Sequence, residues 1–207
     1  PRTIPGETEL RIGEYISQLV NDGDTIQLGI GKLPDAVAVK LMDKNDLGLH
    51  SEMFTSTMAD LISNGNITGK HKTLDRGQHV AAFALGDQNL YDLLSANPAC
   101  RIVPCSYGND PFNIMRQDNM KSINTCMEID LTGQVCSESI GPLQFSGTGG
   151  AADFAMGALH SKGGRGIIAF ASTAKKGTMS KIKSILTPGA AVSISRNLVD
   201  TVITEYG

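Results

Sequence analysis

The chain has 207 residues, 41% hydrophobic and 19% charged, the balance of a soluble globular domain with room for one sizeable core. Its net charge of −3 excludes the clustered surplus of Lys and Arg that a nucleic-acid surface needs, and no apolar run approaches the ~20 residues that span a bilayer. Neither nucleic acid nor membrane is therefore an expected partner. The start lacks the charged-then-apolar build of a secretory leader, so a cytoplasmic location is expected, with an organelle matrix as the alternative.

In chain order, Ile12, Ile16, Leu19 and Val20 fall at helical spacing and predict an amphipathic helix over 7–21, ended by the turn residues Asn21-Asp22-Gly23. A strand over 24–28 runs into Gly29-Ile30-Gly31, and Pro34 sits in the first turn of the next helix, where its missing N–H costs nothing. A strand is expected at 48–51 and a helix at 56–62. The apolar run 80–85 has the character of a buried parallel strand and is followed by a helix at 90–95. A strand at 101–105 and a short helix at 111–116 come next. Segments 122–129 and 135–139 read as two strands joined in a hairpin at Thr132-Gly133. After the glycine-rich stretch 146–150, a helix at 151–160, a buried strand at 166–171 and three short strands ending at 202–204 complete the chain.

This alternation predicts one α/β domain over residues 1–207: an open, mostly parallel sheet flanked by helices, with antiparallel strands added in the second half. Both ends, the extended Pro1-Arg2-Thr3-Ile4-Pro5 and the closing Thr204-Glu205-Tyr206-Gly207, read as joins to a longer protein.

Four cysteines (100, 105, 126 and 136) and four histidines (50, 71, 79 and 160) show no zinc-ligand spacing, so no metal is expected and Cys100, Cys126 and Cys136 read as buried free thiols. The basic triple Lys70-His71-Lys72 reads as solvated surface. The 23 glycines cluster at element junctions rather than in linkers, which suggests a ligand site built from backbone. Gly29-x-Gly31 lacks the third glycine of a dinucleotide fingerprint, yet a strand ending in glycines exposes N–H groups to a negative charge. Gly147-Thr148-Gly149-Gly150 repeats the device before Ala151. Between the two turns, Glu52 leaves a strand at the carboxyl edge where open α/β sheets bind ligands.

Several segments resemble the acetyl-CoA hydrolase/transferase family, most of all its 4-hydroxybutyrate and butyryl-CoA:acetate CoA-transferases. Gln27-Leu28-Gly29-Ile30-Gly31-Lys32-Leu33-Pro34-Asp35-Ala36-Val37 is similar to the family's QLGIGxxPxAV segment, and Leu47-Gly48-Leu49-His50-Ser51-Glu52-Met53 to the segment bearing its nucleophilic glutamate. Asn109-Asp110-Pro111, Met120-x-Ser122-Ile123-Asn124 and Gly133-Gln134-Val135 through Glu138-x-Ile140-Gly141 follow in family order. Ser146-Gly147-x-Gly149-Gly150-x-x-Asp153-Phe154, Ser172-Thr173-Ala174-Lys175 and 202–207 complete the set. The resemblance implies the fold shared by NagB, RpiA and the CoA transferases, with coenzyme A or acyl-CoA as substrate and no tightly bound cofactor.

It also implies roles. Glu52 would be the covalent nucleophile, forming an acyl-glutamyl anhydride and then a glutamyl-CoA thioester. The N–H groups of Ile30 and Gly150 would donate to oxyanions, Asn109 would orient Glu52 or bind the acyl carbonyl, and Glu205 would position Glu52 or a water. Gly29, Ile30, Gly31, Lys32, Leu33, Ser146, Gly147, Gly149, Gly150 and Lys175 would contact coenzyme A. Thr55-Ser56-Thr57 and Ala151-Ala152 depart from the family's usual Ser-Asp-Gly and Gln-Val, so the acyl group does not carry over. Family members are about twice as long, which implies an N-terminal half as partner, a site between the halves, and possible homo-oligomers. An acyl-CoA hydrolase of the same family, or a non-catalytic CoA-binding domain, are the alternatives.

Overall fold

The computed structural model describes residues 4–207, so the first three residues of the expected lead-in lie outside it. Helix α1 (Glu7–Ser17) leads to β1 (Thr25–Leu28), α2 (Lys32–Lys40), β2 (Gly48–Phe54), α3 (Ser56–Ser63), β3 (His79–Ala84), α4 (Gln88–Ala96) and β4 (Cys100–Ile102). Two one-turn helices, α5 (Cys105–Gly108) and α6 (Pro111–Ile114), precede β5 (Met120–Asn124). Short strands β6 (Glu128–Asp130), β7 (Val135–Cys136), β8 (Ser139–Ile140) and β9 (Leu143–Gln144) come before α7 (Ala151–His160) and β10 (Arg165–Ala169). Strands β11 (Thr173–Ala174), β12 (Met179–Ser180), β13 (Ile182–Lys183) and β14 (Thr201–Ile203) close the chain.

Seven strands form one sheet in the order β14-β10-β5-β1-β2-β3-β4, and every pairing in it is parallel. The central strands β1, β5 and β10 are buried on both faces, although β1 and β5 carry buried polar residues among their apolar ones. Against one face, Ile12 and Ile16 of α1, Val37 of α2 and Met58 and Leu61 of α3 pack on Ile26, Leu49, Ile123 and Ile167. The other face carries Phe154 and Ala158 of α7 against Ile114 and Met120. Full burial of a side chain such as Phe154 is worth roughly 1.5–3 kcal/mol. Antiparallel pairs β6–β7, β8–β9 and β11–β12 sit outside this sheet, in the second half as the sequence predicts.

Strands β1 and β5 also exchange side-chain hydrogen bonds. The Gln27 and Asn124 amides donate to each other's carbonyl oxygens at 3.2 Å, and Ser122 Oγ donates to Gln27 Oε1 at 2.9 Å. All three residues are buried, and they fix the end of β1 from which the first glycine turn departs.

Several expectations are corrected. The run 80–85 is not buried throughout: β3 ends at Ala84, and Phe83 is 44% and Leu85 53% exposed, because this strand lies next to the sheet's edge. Segment 122–129 is not one strand: β5 belongs to the large sheet, while β6 pairs with β7 in another. The strand expected at 101–105 stops at Ile102, because Pro104 caps α5 and turns Cys105–Gly108 into a helix. The closing region holds four short strands rather than three. Lys72 is not solvated surface but 3% exposed, its Nζ donating to Leu49 O at 3.0 Å and Gln78 O at 2.9 Å. Burial lowers its pKa to about 8. The cysteines are free, with Cys126 and Cys136 buried as expected and Cys105 exposed. Cys100, expected to be buried, is only half-buried because β4 is an edge strand of the sheet.

Candidate active site

Glu52 lies in the second half of β2, half-buried, on the face covered by α5, α6 and α7. Two donors hold its carboxylate, one on each oxygen. Asn109 Nδ2 lies 3.2 Å from Oε1, and the backbone N–H of Gly150 donates to Oε2 across 3.2 Å. Asn109 follows α5 directly, and Gly150 is the N-cap of α7. The carboxylate thus meets the positive end of a ten-residue helix dipole as well as two hydrogen-bond donors.

Space decides the residue at position 150. Its backbone φ of −93° suits any residue, so glycine is not there for conformation. A Cβ would run into Asn109 Nδ2 and would lie 3.1 Å from Glu52 Oε2 and 3.2 Å from its Cδ. Only a residue without a side chain lets all three groups meet. Asn109 Oδ1, on the far side of the same amide, is buried without a hydrogen-bond partner.

Asp153, one turn into α7, feels this arrangement. Burial raises its pKa first, and the charges of Glu52 and Asp110 raise it further. Its place in the glycine-loop motif was visible in the sequence, but its electrostatic coupling to a glutamate 101 positions earlier was not.

Of the other expected site residues, Gly149 approaches Glu52, and several of the rest line cavities that do not include Glu52. Ile30, Lys32 and Leu33 line a cavity of about 260 Å³ together with Cys126, Phe170 and Lys181. Ile30 is 56% exposed there. The Lys181 ammonium lies 5.2 Å from the centre of the Phe170 ring and donates to Cys126 O. Burial lowers its pKa. A second cavity of about 490 Å³ shares Glu9 and Ala171 with the first and is lined by Thr173, Lys176 and Glu205.

Among the described residues, no hydrogen bond links Glu205 to Glu52. The Glu205 carboxylate accepts from Ser172 N at 2.8 Å and Ser172 Oγ at 2.6 Å. Burial raises its pKa, but hydrogen bonds, the two from Ser172 foremost, and the charge of Arg11 together leave it below the usual glutamate value. Gly29 and Gly31 flank Ile30 between β1 and α2. Ser146 and Gly147 are exposed on the approach to α7, and a Cβ on Gly149 would lie 4.0 Å from Glu52 Oε2. Lys175 is exposed in the turn between β11 and β12, with φ of 50°.

The family model of the acetyl-CoA hydrolase/transferase C-terminal domain matches residues 86–207, a span that contains Asn109, Gly150 and Glu205. The chain belongs to the acetyl-CoA hydrolase/transferase family. It is 51% identical to the 4-hydroxybutyrate coenzyme A transferase of Clostridium kluyveri, over 98% of this chain and 47% of the relative. It is 49% identical to the succinyl-CoA:cyclohexane-1-carboxylate CoA transferase of Geobacter metallireducens, over 99% of this chain and 47% of the relative.

The crystal structure of a 4-hydroxybutyrate CoA-transferase from Porphyromonas gingivalis superposes with a TM-score of 0.85 at 45% identity, covering all of this chain and 49% of that one. The parallel sheet and flanking helices are thus those of a solved CoA transferase. The chain spans about half the length of the curated relatives it matches. Among the described residues, no helix is long and apolar enough to cross a membrane, and no group of three His, Cys, Asp or Glu is placed to hold a metal ion.

Proposed function

We propose that residues 1–207 form the catalytic half of a coenzyme A transferase, moving CoA between an acyl-CoA and a small carboxylate with Glu52 as covalent nucleophile. The observation that carries this reading is the Glu52 carboxylate held by one donor on each oxygen, half-open at the ligand edge of the sheet.

In this reading, a Glu52 oxygen attacks the thioester carbonyl of acyl-CoA. The C–S bond breaks, giving an acyl-glutamyl anhydride and CoA thiolate. The thiolate adds to the glutamyl carbon, and the acyl carboxylate leaves, so that Glu52 now carries CoA as a thioester. A second carboxylate reverses the steps and departs as the new acyl-CoA. One hard exchange becomes several easier ones.

The two donors fit this sequence. One Glu52 oxygen becomes the bridging atom of the anhydride. The other becomes the carbonyl oxygen that takes negative charge when the thiolate adds. Because each oxygen has its own donor, the developing oxyanion keeps a hydrogen bond whichever oxygen attacked first. A donor aimed in this way is worth about 2.7–4 kcal/mol. The N–H of Ile30 serves the first oxyanion, on the incoming thioester.

In this reading coenzyme A lies along the two adjoining cavities, one of them lined by Lys32, with Lys32, Ser146 and Lys175 as phosphate or pantetheine contacts. Glu205 orders Ser172 beside this path. In this reading an N-terminal half closes the site from the other side, and a cytoplasmic location goes with it.

The full-length protein should be given acyl-CoA in the presence of borohydride, which reduces a thioester and leaves a free carboxylate alone. Mass mapping should place the modification on the peptide holding Glu52, and Glu52→Gln should abolish both modification and CoA exchange. Modification at Glu205 or Glu138, with Glu52→Gln still active, would overturn the assignment. Formation of free acid from acyl-CoA without transfer to an added carboxylate would show a hydrolase.

A further inference from the structure

Two residues before Glu52 on the same strand, His50 is fully buried on the same face of the sheet and makes no hydrogen bond to Glu52. Its contacts nevertheless parallel those of Glu52. His50 Nε2 lies 2.8 Å from the carbonyl oxygen of Gly108, the residue before Asn109. Its ring meets Phe154 edge-on, with centroids 6.2 Å apart at 64°, and Phe154 lies one helical turn after Gly150. Residues four apart share a helix face. The strand therefore grips each donor-bearing element at two consecutive points, Glu52 at the donor and His50 just behind it.

We propose that His50 is a positioning residue for Glu52, setting the placement of both Asn109 and Gly150 around the carboxylate. This rests on the reading of Glu52 as nucleophile. The hydrogen-bond network fixes the ring's tautomer. Gly108 O can only accept, so Nε2 carries the proton. Nδ1 then accepts from Gln117 Nε2 at 3.3 Å. Gln117 is itself held at both ends, its Nε2 donating to Leu74 O and its Oε1 accepting from Leu74 N, both at 3.1 Å. A neutral ring with a single donor direction follows, and that donor is aimed at the chain segment that presents Asn109.

A buried histidine that only filled space would need neither the matched spacing nor the locked tautomer. Loss of the Gly108 bond frees the α5–α6 corner to shift, and a displacement of about 1 Å at the reacting groups is enough for a rate loss of about 10²-fold.

The test uses the full-length protein, with CoA exchange and borohydride trapping measured per folded molecule. In His50→Leu, kcat and the trapping rate at Glu52 should fall by about 10- to 10²-fold while KM for acyl-CoA moves by less than about threefold. His50→Gln carries an amide donor at the reach of Nε2 and should recover most of the lost rate. If His50→Leu does not fold, Gln117→Met removes the partner that fixes the ring, and kcat should again fall with KM held.

A folded His50→Leu or Gln117→Met with wild-type kcat, or a His50→Gln as slow as His50→Leu, would overturn the role of His50. Absence of trapping at Glu52 in the wild-type protein would instead overturn the nucleophile assignment, so the two failures are distinguishable.

Discussion

The backbone N–H of Gly150 points at Glu52 Oε2 from 3.2 Å, so an N-terminal donor of α7, which has no partner within its own helix, is satisfied by a side chain 98 residues earlier. A helix end, a strand carboxylate and the Asn109 amide form one unit. Most of what can be tested follows from how little room that unit leaves.

Gly150→Val should lower kcat by about 10²-fold or more through loss of one aimed donor, with the fold retained. The backbone there already has a φ that valine adopts, so the effect comes from the added carbons against Asn109 and Glu52. Steady-state kinetics beside a thermal melt would check this. A normal rate would move the donor elsewhere.

Asn109→Asp should place a second carboxylate against Glu52. A like charge this close raises a carboxyl pKa, and the nucleophile must be ionised. The acid limb of the kcat/KM profile should therefore move to higher pH by about one unit or more. Asn109→Ala, which adds no charge, should slow the reaction without moving that limb. Profiles measured from pH 4 to 9 separate the two effects.

Stability should fall between pH 6.5 and 4. Burial is the main force lowering His50 and His79 to about 4 in the fold, helped by the charge of Lys72, whereas the unfolded chain takes up those protons near 6.5. The folded state favours neutral rings, so their contribution is complete above about 6.5. It is lost as pH drops towards 4, by up to about 3 kcal/mol for each ring. Urea midpoints across this range should show the decline, and His79→Leu should reduce its slope by about half.

Gly157→Ala should destabilise the protein although alanine is the better helix former by about 1 kcal/mol. A Cβ at Gly157 meets the Cβ and Cγ2 of Ile114, close to the backbone of α6, where overpacking costs typically 1–3 kcal/mol. The shift of α6 reaches Asn109 through Asp110, so kcat should fall along with the melting temperature. A variant that melts higher and turns over normally would refute this coupling.

The sheet was legible in the sequence because short β-prone runs alternate with segments of helical spacing, and because glycines and Asn21-Asp22-Gly23 mark where they stop. Segment 122–129 misled because two strands of different sheets follow each other with only Thr125, Cys126 and Met127 between them. Lys72 misled because a lysine beside another lysine and a histidine looks solvated. Nothing local reveals that its ammonium ends on two backbone carbonyls.

At the site, motif and order pointed to Glu52, Asn109 and Gly150 one by one. The resemblance implied that Asn109 orients Glu52, but spacing did not, since Asn109 lies 57 and Gly150 98 residues away. Nothing pointed to the Gly150 N–H bonding the Glu52 carboxylate itself. Nothing local marks His50 either. Its contacts come from Gly108 in α5, Phe154 in α7 and Gln117, all more than 50 residues away in the chain.

The paired amides of Gln27 and Asn124 carry a consequence for how this sequence can vary. Each is the other's partner in two directions, and both are shut away from water. Replacing Asn124 alone strands Gln27 Nε2, and replacing Gln27 alone strands Asn124 Oδ1, each at a cost of about 1–3 kcal/mol. Ser122 Oγ keeps the remaining atom of either amide paired, and replacing both with apolar groups of matching shape removes the two orphans. Positions 27 and 124 should accordingly be inherited as a couple, and chains that differ at one should differ at the other.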